Sequence, residues 1–148
     1  MILSQALLGV HHLYIDTSPF IYYTENRPEF LAQVKAVFAY QEINNIDTIT
    51  SVITLSECVT KPLKVNDSLL VSAYERFFLK TRNISMTPVT LQISRRSADL
   101  RANYGLRTPD ALHIATALET GCEAFLTNGV SLKRVKELSI LILGEMII

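Results

Sequence analysis

The chain has 148 residues, 49% of them apolar, and its fourteen basic residues balance its fourteen acidic ones. That size suits one domain with a substantial core and leaves no room for a second, while the neutral charge, evenly split along the chain, excludes a global field for nucleic acid. Two distant cysteines with no Cys-x-x-Cys pair, and only three histidines, exclude a zinc ribbon and a disulfide scaffold and point to a reduced cytoplasm.

In chain order, Met1 to Val10 is apolar but lacks a basic n-region and a small-residue cleavage site, and no apolar run reaches membrane-spanning length. A soluble protein that is neither exported nor membrane-bound is expected. His12 to Ile15 reads as a buried strand, and Thr17-Ser18-Pro19 then opens a helix containing Phe20, Ile21 and Tyr22. A second helix is predicted over Glu29–Gln41, a β-branched strand over Ile46–Val52, and a helix from Thr54 to Thr60 that Pro62 ends. Asn66–Lys80 is amphipathic, and Ile84–Val89 reads as a short strand. Helices follow over Leu91–Asn103, closed near Gly105, and over Pro109–Glu119, closed at Gly121; Ala124–Thr127 and Ile140–Leu143 complete the strands. Strands alternating with helices predict a three-layer α/β/α fold around a mainly parallel sheet with right-handed crossovers.

In such sheets ligands lie outside the carboxyl ends of the strands. Three acids fall there: Asp16 straight after the first strand, Glu57 in the first turn of the helix after the second, and Asp110 just after Pro109. Together they suit a hard divalent cation, which prefers carboxylate oxygens, keeps several waters and completes its shell with substrate phosphate. Each acid also has a structural account. Asp16 caps a helix, Thr54-x-x-Glu57 is a capping box, and Asp110 sits where a helix dipole favours an anion.

The neighbourhoods of these acids are more specific than caps require. Tyr14-Ile15-Asp16-Thr17-Ser18-Pro19-Phe20-Ile21, Ser51-Val52-Ile53-Thr54-Leu55-Ser56-Glu57-Cys58, Leu106-Arg107-Thr108-Pro109-Asp110-Ala111-Leu112-His113-Ile114-Ala115-Thr116-Ala117, and Ala124-Phe125-Leu126-Thr127-Asn128 resemble, in order and strand context, the four signatures of the PIN-domain nucleases. By pattern the chain is similar to the VapC-type toxins of bacterial toxin–antitoxin pairs. The match runs from about residue 12, so residues 1–148 are read as a single PIN-like domain with 1–11 as an N-terminal extension. The resemblance implies a ribonuclease dependent on Mg²⁺ or Mn²⁺, with Asp16, Glu57 and Asp110 as metal-binding and catalytic acids. It also implies an antitoxin protein and a homodimer as partners, both gripped through the aromatic early helices around Tyr22, Tyr23, Phe30 and Phe38. Thr17 or Ser18 would donate to a carboxylate or phosphate, or simply cap the helix; Thr127 and Asn128 would contact substrate or support the acids from behind, Asn128 by offering its carbonyl as a neutral ligand or by touching substrate.

One departure stands out. The family commonly carries an aspartate straight after Thr-Asn, whereas this chain runs Thr127-Asn128-Gly129. Losing a fourth carboxylate weakens the support for a second cation and keeps alive an alternative, a PIN-like RNA- or protein-binding module with weak or lost cleavage. Asn128 beside Gly129 is equally a turn signal. Asp99 reads as a mid-helix surface residue, and His113, one turn after Asp110, either faces the crevice or packs at the edge of the core. His11 and His12 alternate across a strand and make a poor joint site. A phosphotransferase using Asp16 as nucleophile would want another aspartate two positions on, where Ser18 stands.

Overall fold

β-branched and apolar runs bounded by polar turns build the sheet. The computed structural model describes residues 1–148, with strands β1 (His12–Ile15), β2 (Asp47–Ser51), β3 (Ile84–Thr87), β4 (Ala124–Thr127) and β5 (Ser139–Ile142). All pair in parallel, in the order β3-β2-β1-β4-β5. Around them lie helices α1 (Leu3–Ala6), α2 (Thr17–Thr24), α3 (Leu31–Ile43), α4 (Val52–Lys64), α5 (Ser68–Lys80), α6 (Leu91–Tyr104) and α7 (Thr108–Glu119). The three-layer arrangement expected from the alternating pattern is the one observed.

Side-chain alternation divides the core in two. Leu13 and Ile15 of β1, with Leu126 of β4, pack beneath α2, α3 and α5 against Phe20, Val34, Val37, Tyr74 and Phe78. Tyr14 and Phe125 point to the opposite face and meet Ile93, Leu100 and Ile114 of α6 and α7. Burial on both sides explains why these strands read as continuous apolar runs.

The chain winds outward from β1 in one direction to β3 and in the other to β5. The direction therefore switches between β1 and β4, and the crevice at their carboxyl ends is where such sheets bind ligands. Ser51, Asp67 and Thr90 cap α4, α5 and α6 through their side chains, and Gly105, at φ 64°, supplies the left-handed residue that closes α6.

The helix after β2 departs from the sequence reading. The helix expected to stop at Pro62 runs to Lys64. Pro62 sits in its last turn, where a missing N–H forfeits only one hydrogen bond, and Asn66, at φ 56°, then turns the chain so that Asp67 N donates to Pro62 O at 2.9 Å. The residues before β1 pack onto the domain: Leu3 and Leu7 lie in the core, and Leu3 N donates to Ile147 O at 2.9 Å. No helix is long and apolar enough to cross a membrane.

Glu123 ties the start of β1 to β4, accepting from His11 N at 2.5 Å and His12 N at 3.1 Å. Its slight burial favours the neutral acid, but these amides and the His12 ring outweigh that and hold its pKa below the ordinary 4.5. A depressed carboxyl pKa contributes stability that is present above the unfolded-state value and lost as pH falls through the folded one. Glu123→Gln is therefore expected to show a shallower loss of stability than wild type below pH 4.5, read from urea midpoints along a pH series. Parallel curves for the two proteins would show that Glu123 is not a coupling point.

Candidate active site

The β1–α2 junction presents the first acid. Asp16 N continues the β1–β4 ladder to Leu126 O at 2.9 Å, and the residue then serves as N-cap of α2, its Oδ1 accepting from Thr17 N at 2.8 Å. Its Oδ2 accepts from the Thr127 hydroxyl at 2.8 Å, at the end of β4. With 9% exposure, Asp16 is a buried carboxylate. Burial pushes its pKa up; the positive charge available on His113, the Thr17 amide and the Thr127 hydroxyl oppose this without cancelling it, and Glu57 adds to the rise. The chief cause is desolvation, and repulsion from Glu57 is the smallest contribution.

Glu57 enters from α4, one turn deeper than predicted, because the helix begins at Val52 with Ser51 as its cap. Thr54 is consequently inside the helix and fully buried, so the capping box does not form. Its hydroxyl instead joins a line of side chains: Thr50 to Thr54 at 2.8 Å, Thr54 to Thr17 at 3.2 Å, and Thr17 to Glu57 Oε1 at 2.8 Å. Glu57 can only accept, so Thr17 spends its proton there, Thr54 must donate to Thr17, and Thr50 to Thr54.

His113 of α7 completes the centre. Its Nε2 lies 2.7 Å from Glu57 Oε1 and 3.6 Å from Asp16 Oδ1, and its Nδ1 lies 2.6 Å from the Tyr14 hydroxyl. Burial favours neutral imidazole, yet the hydrogen bond to Glu57 and the charges of Asp16, Glu57 and Asp110 outweigh it and hold the His113 pKa above the ordinary 6.5. Glu57 moves the opposite way from Asp16. Burial raises it, but the donors His113 and Thr17, with charge from His113 and Arg107, bring it below 4.5.

Asp110 lies in the first turn of α7, one turn before His113 on the same face, with Arg107 Nε 3.4 Å from its Oδ2. Asp16 and Glu57 are thus in contact through His113 and Thr17, and Asp110 stands at the rim. Ser18 is half-buried in the first turn of α2. Asn128 is occupied elsewhere: its Oδ1 accepts from Gly144 N at 3.0 Å and its amide donates to the Tyr22 hydroxyl at 3.3 Å. Gly129 has φ −83° and a Cβ there would meet nothing nearer than 3.5 Å, so the fold does not require glycine at that position. Asp99 is exposed and pairs with Arg95.

The donors suit a hard cation in kind. Asp16, Glu57 and Asp110 are all carboxylates, and Glu57 Oε2 and Asp110 Oδ1 have no protein partner. No three His, Cys, Asp or Glu side chains close around one point as a metal cluster. An open set is still compatible with Mg²⁺, which is commonly held by one or two carboxylates together with waters and substrate phosphate. Of the basic residues in the second half of the chain, Arg95, Arg96 and Lys133 are paired with acids, and Arg134 donates to the Tyr104 and Ser131 carbonyls. Arg107, 81% exposed beside Asp110, is the one at the crevice.

The sequence reading did not see Tyr14, Thr50 or Thr54 as parts of the site, and left His113 between two roles. The available signal was Tyr14 itself, a phenol on a strand buried from both sides, which needs a polar partner.

The PIN domain family model matches residues 13–138, and the chain belongs to this family. Comparison with curated proteins finds no match. Among solved structures, the chain is similar to VapBC2 from Rickettsia felis bound to a promoter DNA fragment, with TM-score 0.70, 16% identity, and 88% of this chain and 98% of that one covered. It is also similar to VapC20 of Mycobacterium tuberculosis, a toxin that cleaves the sarcin–ricin loop (TM-score 0.68, 15% identity, 86% and 98% covered). A toxin–antitoxin complex from Klebsiella pneumoniae matches with TM-score 0.63 and 20% identity, over 88% and 97% of the chains. What the chain shares with these structures is the fold.

Because desolvation disfavours ionised Asp16, Asp16→Asn is expected to melt at the same temperature as wild type or higher without metal. Mn²⁺ or Mg²⁺ is expected to raise the wild-type melting temperature and leave the variant unmoved, as read by calorimetry. A wild type indifferent to both ions would count against the metal site.

Proposed function

We propose that this protein is a metal-dependent endoribonuclease that hydrolyses RNA phosphodiester bonds as the cytoplasmic toxin of a toxin–antitoxin pair. The observation that carries this reading is the juxtaposition of Asp16 and Glu57 through His113 at the β1/β4 switch point, with Asp110 one turn away. Membership of the PIN family supports it. Asp16, Glu57 and Asp110 would hold Mg²⁺ or Mn²⁺. Such a cation makes water a better nucleophile at neutral pH and offsets charge building on the phosphate.

The chain's own residues do the rest. Thr127 and the Thr17 amide hold the Asp16 carboxylate, Thr17 and His113 hold Glu57 by one oxygen, and Arg107 provides an exposed cation for an RNA phosphate at the rim. No covalent enzyme intermediate is required. For the antitoxin we infer a seat on the aromatic side of the helical layer. There a cavity of about 500 Å³ is lined by Tyr23, Lys35, Phe38, Phe77 and Arg82, and the exposed Ile43 and Leu79 lie on the same helices, α3 and α5. Its apolar walls, with Lys35 and Arg82 set against the single acid Glu42, suit an acidic segment with apolar anchors, and a homodimer would use the remaining exposed apolar side chains.

Gly129 favours a second reading, a PIN-like module that binds RNA or protein and cleaves weakly or not at all. Incubating the chain with a long structured RNA in Mn²⁺, Mg²⁺ or EDTA separates the two. Cleavage is expected with either ion and not with EDTA, and Asp110→Asn should slow it on the order of a hundredfold or more, the cost of losing a metal-supporting carboxylate. RNA binding without cleavage, with metal binding established separately, would replace the nuclease by the binding module. Because position 129 has ordinary φ and room for a side chain, Gly129→Asp is expected to fold and to tighten divalent binding or speed cleavage. If neither changes, residue 129 does not face the site.

A further inference from the structure

Tyr14 and His113 form a braced pair that the metal-dependent reading does not by itself demand. Tyr14 is fully buried in the central strand, its ring stacked on Phe125 at 5.0 Å and edge-on to His113 at 5.8 Å. Its hydroxyl meets His113 Nδ1 at 2.6 Å, while Nε2 of the same ring reaches Glu57 Oε1 at 2.7 Å. Because a carboxylate only accepts, Nε2 must carry a proton; at Nδ1 the neutral ring accepts from the Tyr14 hydroxyl and the imidazolium donates to its oxygen, so the bond to Tyr14 persists in either state. The ring is held at both ends, so it cannot turn over without losing both bonds.

Glu57 gains most from this. It is a flexible side chain on the outer part of α4, 36% exposed, and left alone it would sample several rotamers. Oε1 receives two donors from different elements, Thr17 of α2 and His113 of α7, while Oε2 receives none from the protein. If His113 served packing alone, a buried apolar residue would fill its place without desolvating an imidazole.

We propose that His113, braced by Tyr14, is a positioning residue that fixes Glu57 by Oε1 and so leaves Oε2, which has no protein partner, for a divalent cation. The proposal rests on the metal-dependent reading of this site. Partners of this kind behind metal-binding groups typically change affinity by about ten- to a hundredfold when removed.

Mn²⁺ affinity of the full chain, measured by titration calorimetry, tests it with wild type, His113→Leu, His113→Gln, Tyr14→Phe and Asp16→Asn. His113→Leu is expected to bind Mn²⁺ about tenfold more weakly, and His113→Gln, which keeps an N–H donor on the same helix position, to recover most of that loss. Charge alone predicts the opposite sign, because removing a basic imidazole from beside two carboxylates should tighten cation binding. Wild-type or tighter affinity in His113→Leu, or no recovery in His113→Gln, would overturn the positioning role. Should His113→Leu fail to fold by circular dichroism, Tyr14→Phe decides: weaker Mn²⁺ binding supports the brace, and wild-type affinity overturns it. A wild type that binds no Mn²⁺ removes the metal reading and this inference together. Binding lost in Asp16→Asn but untouched at His113 and Tyr14 removes only the inference.

Discussion

Burying the Asp16 carboxylate is the constraint on which the site depends. A charged group at 9% exposure is costly unless the surroundings answer it with donors or opposite charge, and three separate elements converge to do so. The α2 N-terminus supplies the Thr17 amide, the end of β4 supplies the Thr127 hydroxyl, and α7 brings His113. The parallel pairing of Ile15 with Leu126 sets β4 beside β1 so that Thr127 reaches across. Sheet register, a helix cap and an αα-hairpin are thereby locked to one point, and a slip of one residue in β1 would break all three.

Asp16 and Glu57 share a histidine yet shift in opposite directions, which shows what the surroundings rather than the residue type decide. Asp16 lies where water is excluded and its donors do not fully compensate. Glu57 is half-open and receives two donors on one oxygen, which is enough to stabilise its ionised form. On the proposed function, such a pair, one acid poised to resist its charge and the other held charged, would offer a cation two unlike carboxylates. Asp110 at the rim, paired with an exposed arginine, stays accessible to whatever enters the crevice.

Much of the fold was legible because its signals are local. β1 and β4 have the predicted limits, and Gly105 and Gly121 mark helix ends through positive φ. What the sequence concealed was tertiary. Thr54 and Glu57 have capping-box spacing, but Ser51 captured the cap and pushed Thr54 into the interior, where a hydroxyl must find partners across elements. Pro62 carries the usual stop signal, yet in a last turn it costs too little to end the helix. His113 could be placed on a face by its distance from Asp110, but its bond to Tyr14 spans 99 positions and no local pattern encodes it.

The segment after β4 shows how the chain accommodates a missing acid. Thr127 both donates to Asp16 and accepts from Gly129 N at 3.0 Å, so the loop keeps its hold on the central carboxylate whatever follows. Asn128 turns away to bind Gly144 N and Tyr22, in a junction so close that a Cβ on Gly144 would lie 3.0 Å from Asn128 Oδ1 and 3.2 Å from Phe30. The architecture around Asp16 is therefore independent of residue 129, and losing an acid there alters charge rather than shape. On the proposed function, three carboxylates facing one imidazole carry too little negative charge to offset two divalent ions, and the charge balance favours one.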